Sequence, residues 1–178
     1  RFKNDGKDAA VEVARATSAA PTYLPAYHTS QGLPLVDGGL WANNPIEVAV
    51  IEGIKILEWN PDDIFVLSLG CSSAPFDLPF WAKRFPNSLS ALALKIPDMY
   101  SEAQSASANG MALLLLNRRD DAILRFTPVV PRGKFSLDDS KCMSELKGMA
   151  GADARIAQPK LEMFFKNKAE PFKPIYSK

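Results

Sequence analysis

ATSAAPTYLP at residues 16–25 and VDGGLWANNP at residues 36–45 are the two stretches that decide the fold of this chain. The second stretch contains one carboxylate, Asp37, followed directly by Gly38 and Gly39. The apolar run at residues 33–36 predicts a short strand, and two glycines after it permit a tight turn that residues with side chains would resist. Asp37 is therefore expected at the C-terminal end of a strand.

The segments around Asp37 predict an alternation of helices and strands. A helix capped by Asp8 is expected to stop before Pro21, and a second helix is expected to begin after an Asn44 cap. Residues 64–69 predict a strand buried on both faces. Strand, helix and strand in this order indicate a parallel βαβ unit. The second helix is expected to bury Ile46, Val50, Ile54 and Leu57.

The rest of the chain combines a proline-rich excursion with further regular elements. The segment after Cys71 holds too many prolines for a regular element. A long helix is expected from Asp98 to about residue 117, then a strand over residues 123–130 and two helices separated by Gly151 and Pro159. No domain linker is evident, so residues 1–178 are assigned to one domain.

Composition and charge exclude several classes of protein. A net charge of +1 without a basic run argues against a nucleic acid polymer as partner. Cys71 and Cys142 form no metal pair and no disulfide framework, which indicates a reducing, cytoplasmic compartment. A single disulfide between them is the alternative. No metal or cofactor is expected, and no apolar run reaches the roughly 18 residues that a membrane-spanning helix needs.

The succession of ATSAAPTYLP, VDGGLWANNP and a strand ending in LSLG resembles the patatin-like phospholipase family over roughly the first 70 residues. The resemblance implies an α/β fold, here the C-terminal part of a three-layer structure with a mainly parallel sheet and flanking helices. It also implies a Ser-Asp dyad that cleaves acyl esters of phospholipids, in which Asp37 matches the aspartate. The alternative from the residues alone is that the Asp-Gly-Gly sequence forms only a turn.

A dyad without histidine fits the composition of the chain. A serine hydroxyl is a poor nucleophile until a base accepts its proton, and a carboxylate can be that base. His28 is the single histidine and precedes Asp37, whereas the usual hydrolase order places the histidine after the acid. We expect His28 to be a loop or surface residue.

The chain contains neither the GxSxG nucleophile elbow nor the Gly-rich oxyanion loop that the family carries in its N-terminal half. Ser18, Ser68, Ser72 and Ser73 all lack the glycines of the elbow, so each is interpreted as structural. We therefore expect residues 1–178 to be the C-terminal portion of one patatin-like domain, inactive alone, with the serine half in a missing segment. The alternatives are a separate Ser-bearing chain, or a non-catalytic lipid-binding or regulatory module.

Further residues around the two motifs each allow two interpretations. Thr17 and Ser18 either line the acyl crevice or let a helix end approach the sheet, while Gly38 and Gly39 shape the loop of Asp37. Asn43 and Asn44 either orient that loop or cap a helix, and capping is the preferred interpretation.

Two contacts beyond the substrate are also expected. Aromatic residues of the excursion either touch a membrane surface peripherally or cover a small core of their own, and the core is the preferred interpretation. The aromatic residues, with the two cations among them, are Phe76, Phe80, Trp81, Phe85, Lys83 and Arg84.

The sequences of both motifs also resemble those of bacterial patatin-like effectors that a cyclic nucleotide activates.

Overall fold

The computed structural model describes residues 8–73, 96–131, 134–135 and 139–171. These residues fall into two compact units, one within residues 1–44 and 169–178 and the other within residues 45–168. Helices and strands occur together, and one pair of strands is parallel. The α/β class predicted from the sequence is therefore confirmed.

The first unit consists of helix α1 (Ala10–Thr17), strands β1 (Tyr27–His28) and β2 (Pro34–Leu35), and a single helical turn, α2 (Gly39–Ala42). The strands form an antiparallel hairpin, with Tyr27 opposite Leu35. Gly32 in the hairpin loop has a φ of +80°, a conformation that glycine adopts without steric cost. Short elements and a small hairpin thus carry both sequence motifs.

Two predictions for the first unit are wrong in detail. The helix over residues 10–17 exists, but Ala9 occupies its N-cap position and no side chain caps it, so Asp8 does not have the predicted role. The strand before Asp37 pairs antiparallel with β1 and not in a parallel βαβ unit. An apolar run indicates that a strand forms but not which strand it pairs with, and the nearby hairpin loop decides the pairing here.

The second unit contains helix α3 (Ile46–Lys55), a 3₁₀ turn (Pro61–Asp63), strand β3 (Val66–Leu69), helix α4 (Ile96–Leu115), strand β4 (Ile123–Phe126), a 3₁₀ turn (Ser140–Cys142) and helix α5 (Met143–Phe165). The two strands are parallel, with Val66 opposite Ile123 and Leu69 opposite Phe126. A parallel bridge between Ser73 and Val129 extends this pairing beyond the strands.

Helix α3 packs against α4 to form the core of the second unit. Ile46 and Val50 of α3 are buried, as predicted, and Ile54 packs against the same cluster. Leu57 is 54% exposed because the helix ends at Lys55, before the apolar period reaches it. Small side chains on α4 permit the close approach of the two helices. The α4 segment and the turn after it contribute Ala108, Ala112 and Leu116 to the core.

The long helix predicted from Asp98 is confirmed, and it begins two residues earlier, at Ile96. The helix ends at Leu115, and Asn117 and Arg118, which follow shortly after it, both lie in the left-handed region with φ of 57° and 56°. Arg119 then donates through Nη2 to the carbonyls of Ile64 and Pro61, at 2.6 and 3.3 Å. These hydrogen bonds join the end of α4 to the segment that leads into β3.

Two predictions for the second unit are corrected. The strand predicted at residues 64–69 is shorter and only half-buried, and Leu69 is 74% exposed. The two helices predicted near the C-terminus are one helix, α5, with Pro159 inside it. Proline removes one hydrogen bond, to the carbonyl of Arg155, and that residue lies on the exposed surface where water can satisfy it. The predicted excursion and its aromatic residues at 76–85 lie outside the described residues.

Candidate active site

Asp37 lies between the hairpin and the short helix α2, and its main chain is tied to the other sequence motif. The backbone N–H of Asp37 donates to the carbonyl of Ala19 at 3.0 Å. Ala19 is only 3% exposed, so this hydrogen bond forms at a buried point. ATSAAPTYLP and VDGGLWANNP, which are separate in the sequence, therefore meet at Asp37.

The carboxylate of Asp37 is held by the backbone that follows it. The N–H of Gly39 donates to Asp37 Oδ1 at 2.7 Å, and the N–H of Leu40 donates to the Asp37 carbonyl at 3.2 Å. The residue is half-buried. A hydrogen bond from a backbone N–H to an ionised carboxylate is short and strong, so it fixes the orientation of the side chain.

The two glycines after Asp37 have different functions from the one predicted. Gly38 has a φ of −61°, and Gly39 begins helix α2, so neither adopts the left-handed backbone that favours glycine. A methyl group at Gly39 would instead lie 3.0 Å from Asp37 Oδ1, whereas one at Gly38 would have Thr17 Oγ1 as its nearest neighbour, at 3.9 Å. Gly39 thus provides space for the carboxylate. The predicted tight turn forms over residues 37–40, but its backbone angles are ordinary ones that residues with side chains also adopt, so the predicted reason for the glycine pair is wrong.

Thr17 and Ser18 lie at the end of α1, which the structure brings to the Asp37 loop. Thr17 faces the position of Gly38. Ser18 donates its hydroxyl to the carbonyl of Arg15 at 3.3 Å, a local bond within the last turn of the helix. This bond favours the structural reading of Ser18. Roles for Thr17 and Ser18 in the acyl crevice stay predictions.

Helix α1 is anchored to β1 by the side chain of Tyr27. The guanidinium of Arg15 lies over the Tyr27 ring, 5.2 Å from its centre. Partial burial raises the pKa of the Tyr27 phenol above its ordinary value, and the neighbouring Glu12 carboxylate, which accepts a hydrogen bond from the phenol, raises the pKa further. These contacts set the position of the helix whose end carries Ala19.

The remaining candidate residues show mixed outcomes. His28 lies on β1 and is exposed, as predicted. Asn44 is 5% exposed, but Pro45 occupies the N-cap position of α3, one residue later than the predicted cap. Among the serines, Ser68 accepts a hydrogen bond from Arg125, which favours its structural reading.

Sequence reasoning missed Arg125. This cation lies in the middle of β4 and contacts Ser68 of β3 and Ser105 of α4. The signal available in the sequence was an arginine inside the apolar stretch Ile123–Phe126, where a charge has to find polar partners.

Metal-binding and membrane-spanning features are both missing from the part of the chain that the structure describes. Within the described ranges, no group of three or more His, Cys, Asp or Glu side chains has a geometry that could hold a metal ion. Cys71 and Cys142 are both free thiols. The helices in the described part of the chain are all too short or too polar to span a bilayer.

Comparison with known proteins adds to this geometry. Residues 2–50 match the family model described as patatin-like phospholipase. Across an alignment of 192 residues the chain is 29% identical to a cGAMP-activated phospholipase from Escherichia coli strain TW11681, and the alignment covers 97% of this chain and 54% of that relative. The chain spans about half the length of the curated relative, and no solved structure matches it significantly. The resemblance to the patatin-like phospholipase family is confirmed.

Proposed function

We propose that this chain supplies the aspartate half of a patatin-like serine lipid acyl hydrolase of the phospholipase A or lysophospholipase type. Asp37 is the general base, and the nucleophilic serine comes from outside residues 1–178. The match of residues 2–50 to the family model supports this proposal, as does the likeness to a relative named as a phospholipase. The serine is expected in an N-terminal segment of the same polypeptide.

The proposed reaction has two steps. The Asp37 carboxylate accepts the proton of the serine hydroxyl while the serine oxygen attacks the acyl carbonyl carbon. The ester bond then breaks, the alcohol leaves with that proton, and an acyl-serine remains. Asp37 then accepts a proton from water as the water oxygen attacks the acyl carbon. The bond from that carbon to the serine oxygen breaks, the serine oxygen takes the proton back from Asp37, and the fatty acid leaves.

The observation that carries the proposal is the fixed Asp37 carboxylate. Its Oδ1 accepts the Gly39 N–H at 2.7 Å, and its own N–H is tied to Ala19 at 3.0 Å. A general base must be held in position because catalysis by proton transfer depends on a defined distance to the reacting hydroxyl. One backbone hydrogen bond within the loop and a second one to Ala19 hold Asp37 in place, which supports a base that acts without a histidine.

Apolar side chains on both sides of Asp37 suit a lipid substrate. Val36, Leu40 and Trp41 are 48%, 54% and 69% exposed. These side chains lie on one helical turn and just after the strand before it. Exposure of apolar surface to water costs a free energy of about 25 cal/mol per Å². An acyl chain or the edge of a membrane would cover it, which accords with peripheral contact of a cytoplasmic enzyme with its substrate surface.

A cyclic nucleotide is the proposed activating partner. The supporting relative is named for activation by cGAMP, and the alignment with it extends over nearly the whole of this chain. We expect the polypeptide that contains this chain to hydrolyse lipid slowly until the activator binds.

The substitution Asp37→Asn in the polypeptide that contains both halves tests the proposal. Asparagine keeps the shape of the side chain and an oxygen that can accept the Gly39 N–H, so the thermal transition should stay within a degree or two while basicity is lost. We expect hydrolysis of phospholipid and of p-nitrophenyl esters to fall by about 100- to 10,000-fold. Asp121→Asn, which changes an exposed aspartate in a turn, is the matched control and should keep full activity.

Two results would contradict the proposal as a whole, and a third would contradict the placement of the serine in the same polypeptide. If Asp37→Asn retains activity within a few fold, Asp37 is not the base. If the unaltered polypeptide binds phospholipid vesicles with activator present and hydrolyses none, the chain is the non-catalytic lipid-binding module instead. Restoration of hydrolysis only by a second, serine-bearing chain would instead show that the nucleophile resides in a separate subunit.

A further inference from the structure

Three side chains join helix α1 to strand β1 in the first unit. The phenol of Tyr27 donates a hydrogen bond to the Glu12 carboxylate, and the Arg15 guanidinium lies over the Tyr27 ring, 5.2 Å from its centre. Glu12 and Arg15 are three residues apart in α1, so they lie on the same side of the helix and can contact one ring together. We call Tyr27, Glu12 and Arg15 the Tyr27 clamp.

Helix α1 buries little apolar surface of its own. The structure describes all eight of its residues, and none of them is buried. Val11 and Val13 of this helix are 64% and 53% exposed. A helix of this length is marginal in water by itself, so its position depends on contacts with neighbouring elements. The contacts of the Tyr27 clamp therefore help to fix α1 against the hairpin.

The hydrogen bond that holds the main chain of Asp37 runs between the two elements that the clamp joins. The N–H of Ala19 donates to the carbonyl of Ala16 at 3.2 Å, so Ala19 follows the last turn of α1. Asp37 comes two residues after Leu35, which is opposite Tyr27 in the hairpin. The bond from the Asp37 N–H to the Ala19 carbonyl, at 3.0 Å, therefore keeps its length only while α1 and the hairpin keep a fixed relative position.

We propose that Tyr27 is a positioning residue for Asp37. It holds α1 against β1, and through the Ala19 carbonyl it fixes the main chain from which the Asp37 carboxylate projects. The inference rests on the proposed function, because the position of Asp37 affects hydrolysis only if Asp37 is the base. A displacement of about 1 Å at a catalytic group costs about 100-fold in rate, and a smaller shift of α1 should cost about 10-fold.

The substitution Tyr27→Leu, in the polypeptide that contains both halves, removes both contacts of the clamp. Hydrogen exchange of the Asp37 amide, resolved to single residues, should become about 10-fold faster, because its bond to Ala19 opens more often. The kcat for p-nitrophenyl ester hydrolysis should fall by about 10-fold, while KM stays within about twofold. Tyr27→Phe keeps the ring beside Arg15, so it should restore kcat to within about threefold of the unaltered protein.

Tyr100→Leu is the matched control, because it makes the same change at a tyrosine of α4 that is 51% exposed. It should alter neither the exchange of the Asp37 amide nor kcat. Arg15→Met, which removes the guanidinium from an exposed residue and keeps an aliphatic stem, is the second variant if Tyr27→Leu fails to fold. It should accelerate exchange of the Asp37 amide by several fold. Circular dichroism and a thermal scan of every variant establish that it is folded.

The exchange rates and the activities separate this inference from the proposed function. Unchanged exchange of the Asp37 amide in folded Tyr27→Leu and Arg15→Met overturns the positioning role, whatever their activity. Equal acceleration at the Thr29 amide, which donates to the Leu33 carbonyl in the hairpin loop, also overturns it, because Tyr27 would then stabilise the whole unit. Full activity of Asp37→Asn would refute the proposed function instead, and the exchange rates alone would then decide whether Tyr27 positions Asp37.

Discussion

Replacing Gly39 with alanine should damage the proposed active site without distorting the backbone. The added methyl group would lie 3.0 Å from Asp37 Oδ1, so the carboxylate has to give by a few tenths of an ångström. That movement lengthens the 2.7 Å bond from the Gly39 N–H. Gly39 begins a helical turn and has no left-handed φ, so alanine returns up to about 1 kcal/mol of helix propensity.

The effects on activity and on stability are therefore expected to separate. A weakened hydrogen bond to a charged group costs at most about 1.5–3 kcal/mol, and the helix propensity of alanine offsets part of it. A displacement of 1 Å at a catalytic group costs about 100-fold in rate, so a shift of a few tenths of an ångström with loss of alignment should cost about 10-fold or somewhat more. We expect a fall in kcat for p-nitrophenyl ester hydrolysis with a small change in the thermal transition.

Gly38→Ala is the control that the chain itself offers. A methyl group at Gly38 has Thr17 Oγ1, at 3.9 Å, as its nearest neighbour, and the φ of −61° is ordinary for alanine. Activity should therefore stay within about twofold of the unaltered protein. The steric argument is refuted if Gly39→Ala keeps full activity, or if Gly38→Ala loses as much activity as Gly39→Ala while both remain folded.

Two further predictions concern stability. Leu116 is fully buried, so Leu116→Ala should lower the free energy of unfolding, measured by urea titration, by about 2–5 kcal/mol. Leu114 is 58% exposed, so Leu114→Ala should lower it by well under half as much. Equal losses in the two variants would contradict the assigned core. The pKa of Tyr27 is raised above 10.0, so the native chain keeps a proton that the unfolded chain has lost, and stability should fall as pH rises above about 10. Absorbance titration of tyrosinate should show a late component that Tyr27→Phe removes and that Glu12→Gln moves to lower pH; an unchanged titration curve in both variants would exclude this assignment.

Periodicity in the sequence predicted the helices of the second unit well. The apolar stripe of Ile46 and Val50 and the long pattern after Asp98 are read from one segment at a time, and both helices formed where the pattern placed them. Pro159 misled the prediction for the C-terminal region because a local rule against proline is overridden when the lost hydrogen bond faces water.

The partners of the strands and the reason for the glycines could not be read in this way. Strand pairing depends on contacts between distant segments. Strand β3, for example, pairs with β4 although α4 lies between them in the sequence. The role of Gly39 depends on where the Asp37 side chain turns, which one-dimensional spacing does not contain. The motif in the sequence predicted Asp37 as the base, whereas only the structure shows its backbone hydrogen bond to Ala19.

The hydrogen bond from the Asp37 N–H to the Ala19 carbonyl makes the position of the proposed base depend on Ala19, a residue whose side chain has no polar or reactive group. Every amino acid has a carbonyl, so no substitution at position 19 deletes the acceptor of this bond. A side chain too large for the buried space at Ala19 can only displace it. Random mutagenesis that selects for lost activity would then return bulky replacements at position 19 beside the expected changes at Asp37. A survey of natural variants that scored only carboxylates and hydroxyls would overlook such inactivated alleles.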